Sequence, residues 1–281
     1  MTKIGIAALA CGGCDPAEPR PAPPVIDPAS APALPTVEVP AALLSSEPPP
    51  WLAAPPPSQQ AYAKGDRVWA TVQAAGDLAQ VGLYEVASTR GAKVDLTGTS
   101  GQRVLGVPVA YVHRLGEMRK WKQGEPVLFY AAPTGAALGR IAEVVAGSDF
   151  RARYDWAGQT REISLDHAER PRTGLVPLAV VDFPYRKRRS RGMIVAATKT
   201  QLWIRSGAGS VEVVERERCR PLALGKKLRL GQPVRAYQWA SGIETGTLRR
   251  VLEPELRYEV SFGPNRAPRS YFFHSVFPPA S

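Results

Sequence analysis

The stretch Trp121–Pro171, WKQGEPVLFYAAPTGAALGRIAEVVAGSDFRARYDWAGQTREISLDHAERP, decides the fold. It opens with Gly124-Glu-Pro-Val127, turns through Pro133-Thr-Gly135 and resumes with Gly139-Arg-Ile141. Phe150, Ala152, Tyr154 and Trp156 then share one face of an extended segment, and Arg151, Arg153 and Asp155 share the other. Alternation with period two is the mark of a half-buried strand. A short Arg161-Glu-Ile-Ser-Leu165 strand follows, and the unit closes on Pro171.

Working outward, the same plan recurs. First strands read Gly65-Asp-Arg-Val68, Gly124-Glu-Pro-Val127, Leu175-Val-Pro-Leu178 and Gly231-Gln-Pro-Val234. Second strands open at Gly82, Gly139, Gly192 and Gly246, spaced by 57, 53 and 54 residues. A period near 55 held through three intervals predicts tandem repeats. Unit four repeats the alternation of unit two, with Leu256, Tyr258, Val260 and Phe262 opposing Arg257, Glu259 and Ser261. Nowhere in 61–281 does an apolar i, i+3, i+4, i+7 run extend far enough for a packed helix. The expectation is all-β, with units at 61–116, 117–172, 173–223 and 224–281, the third divergent and basic. A unit of about 50 residues with four or five short strands leaves costly edges unless its sheet curls into a small barrel.

Lys64-Gly-Asp-Arg-Val-Trp-Ala70, and Trp121–Pro171 as a whole, resemble Tudor/agenet-type domains. The resemblance implies about four tandem Tudor-like (Src-homology-3-like) β-barrels. It also implies aromatic cages for methylated Lys or Arg, which bind through cation–π attraction. Alternation turns Trp69, Tyr130, Trp203 and Tyr237 away from their strands' core faces, so these are candidate aromatic contacts. Trp156, beside Asp155, is a fifth, although it shares the core-side face with Tyr154.

The chain's 28 prolines are uneven: fifteen fall between Pro16 and Pro57. A segment so poor in aromatic and β-branched clusters cannot bury enough apolar surface to order itself, so residues 15–60 are expected to be a disordered linker. Ahead of it, MTKIGIAALACGGC combines Lys3, an apolar run from Ile4 to Ala10, and a cysteine after Ala-Leu-Ala. Those are the parts of a secretory signal, and residues 1–14 resemble the bacterial lipoprotein signal with Cys11 as the lipidated residue. This implies a lipid anchor in the cell envelope, the outer membrane included, with the linker as spacer. Cys11-Gly-Gly-Cys14 read as a redox pair would need a βαβ context that is missing here.

Formal net charge is +11. Arg186, Lys187, Arg188, Arg189 and Arg191, five basic residues in six, are expected to form a solvated anion-binding loop between the first two strands of unit three. Their natural partner is an anionic polymer (glycan, lipopolysaccharide or nucleic acid), or else a protein. His113, His167 and His274 lack metal-ligand spacing, and neither a phosphate loop nor a nucleophile elbow occurs. Cys219 reads as a small buried residue. The sequence therefore predicts no catalysis, metal, cofactor or small-molecule substrate. It points to a non-catalytic, envelope-anchored module for multivalent binding or scaffolding. The alternative is a cytoplasmic tandem-Tudor protein that binds nucleic acid.

Overall fold

The computed structural model describes residues 48–116, 120–131, 135–145, 151–156, 159–164, 167–224, 227–238, 241–252 and 257–279, with backbone alone for 151–161 and Ser164 where these are included. Cys11 and Phe150 lie outside the described residues, and so does the Trp156 side chain. The chain is all-β. A short helix α1 (Pro50–Ala53) precedes β1 (Arg67–Gln73), β2 (Ala79–Arg90), β3 (Lys93–Gly98), β4 (Arg103–Pro108) and β5 (Val112–Arg114). The second group is β6 (Pro126–Ala131), β7 (Gly135–Val144), β8 (Arg151–Trp156), β9 (Gln159–Ser164) and β10 (Ala168–Glu169). The third is β11 (Val180–Tyr185), β12 (Arg188–Ala197), β13 (Gln201–Ser206), β14 (Val211–Glu215) and β15 (Arg220–Pro221). The fourth is β16 (Pro233–Gln238), β17 (Gly242–Leu252), β18 (Arg257–Ser261), β19 (Arg269–Phe272) and β20 (Val276–Phe277).

Each group forms one antiparallel five-stranded sheet with the same topology: strands one to four meander, and the fifth returns beside the first. The register between second and third strands shifts at the same place in every sheet, at Val86/Ser88, Ile141/Glu143, Ile194/Ala196 and Leu248/Arg250. Such a bulge bends a strand and increases its twist.

Pairing corrects the repeat register in two places. Val127 lies opposite Gly139 and Val234 opposite Gly246, but Val68 lies opposite Tyr84, not Gly82, and Val181, not Leu178, lies opposite Gly192. Unit three's first strand is thus β11, and the segment 175–178 is its approach. Leu178 fills the turn slot held by Gly65, Gly124 and Gly231, with φ of 68° against 90°, 81° and 80°. All four amides donate to a second-strand carbonyl, at Val86, Ile141, Ile194 and Leu248. A left-handed leucine costs about 1–2 kcal/mol, and full burial of its side chain offsets that. A β-strand reading of 175–178 missed this because the glycine that marks the turn is absent.

The units have their own cores. Val68, Ala70, Val86 and Leu96 fill the first, Val127, Phe129 and Ile141 the second, Val181, Phe183, Ile194 and Ile204 the third, and Val234, Leu248, Tyr258 and Val260 the fourth. A further cluster belongs to no single unit. Trp69, Val81, Leu83, Leu128, Leu178, Val195 and Trp203 meet there, and Trp51 joins them. The described residues thus form one compact body, not a string of beads. Trp51 also shortens the linker expected to reach residue 60. It is buried, its Nε1 donates to Asp77 O (3.1 Å), and its carbonyl accepts from the Tyr111 hydroxyl. One tryptophan in a Pro-rich segment supplies the apolar area that the segment's average composition lacks.

Candidate functional site

The outward aromatics are the first correction at the site. Trp69 is 0% exposed and Trp203 7%, both in the cluster between units. Tyr130 is partly buried against that cluster. Tyr237 is partly buried against Val180, Leu222 and Phe277. Alternation assigned their faces correctly, since each points away from its own unit's core. The face, however, is covered by a neighbouring unit instead of water.

Aromatic faces elsewhere are occupied by the chain's own cations. The guanidiniums of Arg114, Arg170 and Arg191 lie 5.6, 5.5 and 5.0 Å from the ring centres of Tyr62, Trp121 and Tyr237. In the first two units the same arginine also pairs with the acid after the turn glycine: Arg114 with Asp66 at 3.1 Å, Arg170 with Glu125 at 2.8 Å. Each of these cations occupies one ring face that a methylated ligand could otherwise use.

The basic run is split by the strand that carries it. Only Arg186 and Lys187 form the hairpin turn; Arg188, Arg189 and Arg191 are on β12. Arg186, Lys187 and Arg188 are exposed. Arg189 and Arg191 are only partly solvated, because both point away from the Ile194 face and are held by partners within the fold. Arg189 donates Nε to Asp182 Oδ1 (2.7 Å) and Nη2 to Arg218 O (3.0 Å). Arg235 of β16 donates Nη1 to Asp182 Oδ2 (3.1 Å) across the junction. Asp182 is 1% exposed, so both of its oxygens rely on these two guanidiniums. Arg191 donates to His274 O and to Ser275 Oγ (3.2 Å) beneath Tyr237.

The three exposed cations border a cleft of about 580 Å³. Tyr185 and the hairpin line it together with Gly207 and Ala208 of the next turn, Tyr237 and Gly242. The Arg186 guanidinium lies 5.4 Å from the Tyr185 ring centre. Gly242 has φ of 84°, and a Cβ there would stand 2.3 Å from Arg189 O. Only glycine permits that approach.

His113 and His274 serve packing. His113 is 4% exposed and its Nε2–H donates to Val195 O (2.7 Å), joining units one and three. Burial holds its pKa down to about 4. Burial likewise holds His274 down to about 3, with the Arg191 charge adding to the effect. Cys219 is a buried free thiol whose Sγ–H donates to Glu215 O (3.6 Å), and burial raises its pKa. Among the described residues no group of three His, Cys, Asp or Glu converges as a metal site would require. The chain matches no protein-family model and no curated protein.

Proposed function

We propose that this is a non-catalytic binding protein that holds an anionic polymer at the cleft between its third and fourth units. The observation that carries the reading is the division of the basic run. Arg189 and Arg191 are committed to the junction, whereas Arg186, Lys187 and Arg188 are exposed and line a formed cleft. A net charge of +11 draws polyanions toward it.

Each five-stranded sheet is read as a Tudor-like barrel. The returning fifth strand and the shared bulge support this. The cage chemistry of that family is not part of the proposal, because four of the five candidate aromatics pack between units. The binding mode accordingly moves from several separate sites to one composite site. An envelope location rests on the sequence around Cys11. Intact mass and membrane fractionation test it: a soluble, unlipidated protein with residues 1–14 present would favour the cytoplasmic nucleic-acid reading.

The triple variant Arg186→Gln/Lys187→Gln/Arg188→Gln tests the site, with heparin and a single-stranded oligonucleotide as probes. The wild-type chain should bind in a salt-dependent way. The variant should bind less tightly and lower the salt slope by about 2–3, roughly one per lost phosphate contact. Equal affinity and slope in both proteins would remove the cleft from consideration.

A further inference from the structure

Behind the hairpin turn, a second cleft of about 330 Å³ opens where units two, three and four meet. Arg191 of β12 and Arg205 of β13 both line it, beside Ser206 and His274. Each guanidinium is partly buried. Arg205 donates Nε to Ala79 O (2.6 Å), and Arg191 donates Nη1 to His274 O and Ser275 Oγ. Those partners are neutral, and among the described residues neither arginine has a carboxylate partner. Burial without a counter-charge lowers both guanidiniums, Arg191 to about 10.

The fold does not require cations here. Aligning the sheets by their strand pairing puts Leu83 in the place of Arg191 and Thr97 in the place of Arg205 within unit one. Two partly buried positive charges that line one cleft lose hydration without a counter-charge to offset it. An anion bound there would offset that loss. The bonds described use Nε of Arg205 and Nη1 of Arg191, so other N–H groups of both planar forks are available to a ligand. Paired forks of this kind suit the oxygens of a tetrahedral oxyanion.

We infer that this cleft receives a single phosphate-class oxyanion, gripped between Arg191 and Arg205. The inference goes beyond the polymer-binding reading and does not depend on it. The two clefts share Ser206 and Gly207, so the oxyanion could be free phosphate or a phosphoryl group on a polymer held at the hairpin.

The test titrates inorganic phosphate into the full chain at constant ionic strength set by chloride, read by calorimetry and by thermal midpoint. Saturable binding with a midpoint rise of several degrees is expected. Arg205→Gln should weaken binding on the order of ten-fold or more, the loss of charge-assisted hydrogen bonds. Arg205→Lys, which keeps the charge and loses the fork, should fall between and serves if the glutamine variant does not fold. The hairpin triple variant should bind phosphate like wild type even where its polymer binding is lost, which separates this site from the polymer reading. Phosphate that displaces an oligonucleotide assigns the site to the polymer's phosphoryl group; phosphate that binds without displacing it assigns the site to the free anion. No saturable binding by the wild-type chain would overturn the inference, as would equal affinity in wild type and both Arg205 variants.

Discussion

The junction of units one and two and that of units three and four are built on one backbone plan with opposite chemistry. In each, the second strand of the even unit starts at a left-handed glycine, Gly135 or Gly242, whose missing Cβ lets it press against a carbonyl of the odd unit, Val81 O or Arg189 O. Strand pairing then equates Trp69 with Asp182, Leu128 with Arg235, Leu83 with Arg191 and Tyr130 with Tyr237. The first junction is an apolar cluster. The second holds a buried aspartate between two arginines and a third arginine under a tyrosine. The backbone contact therefore sets how the units dock, and the side chains decide what else the junction does. The apolar version seals; the charged version borders both clefts.

Breaking the ionic junction should have the largest effect. Asp182→Ala leaves Arg235, whose side chain is 13% exposed, facing Arg189 without a counter-charge. Loss of about 3–5 kcal/mol in chemical denaturation is expected. The double change Asp182→Leu/Arg235→Leu, which gives this junction the character of the first, should recover most of it. Trp69→Ala should also cost about 3–5 kcal/mol, through a cavity, but with no such rescue at Leu128. If Asp182→Ala costs under about 1 kcal/mol, the ion network does not hold the junction.

Acid should act through the histidines between units. His113 keeps its native pKa at about 4, against about 6.5 in the unfolded chain. The unfolded state therefore binds more protons between those values, and stability falls as pH falls from 6.5 to 4. The buried His113 contributes about 1.4 kcal/mol per pH unit in that window, and His274, held lower still, adds to the same decline. In urea denaturation at pH 7, 5.5 and 4.5, His113→Gln should flatten the decline. Profiles that run parallel for the two proteins would show that His113 is not its source.

The smallest effects should come from the shared backbone contact. Gly135→Ala and Gly242→Ala each place a methyl within 2.6 and 2.3 Å of a carbonyl oxygen at φ of 85° and 84°. Each should cost about 1–3 kcal/mol, and by similar amounts despite the different chemistry around them. Gly65→Ala, at φ 90° with nothing within 4 Å, should cost only about 1 kcal/mol. An equal loss at Gly65 would mean that the dihedral angle, not the close approach, governs all three.

The strands and their repetition were legible because they are local: a period of two shows within six residues, and four copies reinforce it. Tyr258 and Val260 are buried as that period requires. Face was legible too, but cover was not. Trp69 and Trp203 point outward from their units, and nothing in their neighbours along the chain says that another unit lies over them. Arg189 and Arg191 were misread for the same reason. A run of five cations looks too charged to bury until a strand splits it by face and Asp182 and backbone carbonyls arrive from elsewhere. Leu178 was hidden by substitution, since it occupies a glycine slot without being glycine. Its only sequence-level signal is its spacing, three residues before Val181, as Gly65, Gly124 and Gly231 precede Val68, Val127 and Val234.

Leu178 also bears on how the chain reaches its native state. Its turn is unfavourable by itself, and part of the burial that offsets the turn comes from side chains of units one and two. Excised, the third sheet would keep the strain and lose the part of the compensation that Trp69, Leu83 and Leu128 supply. Folding should therefore be cooperative across the repeats, with the third unit completed only as the first docks on it, and the chain should melt in one transition instead of four.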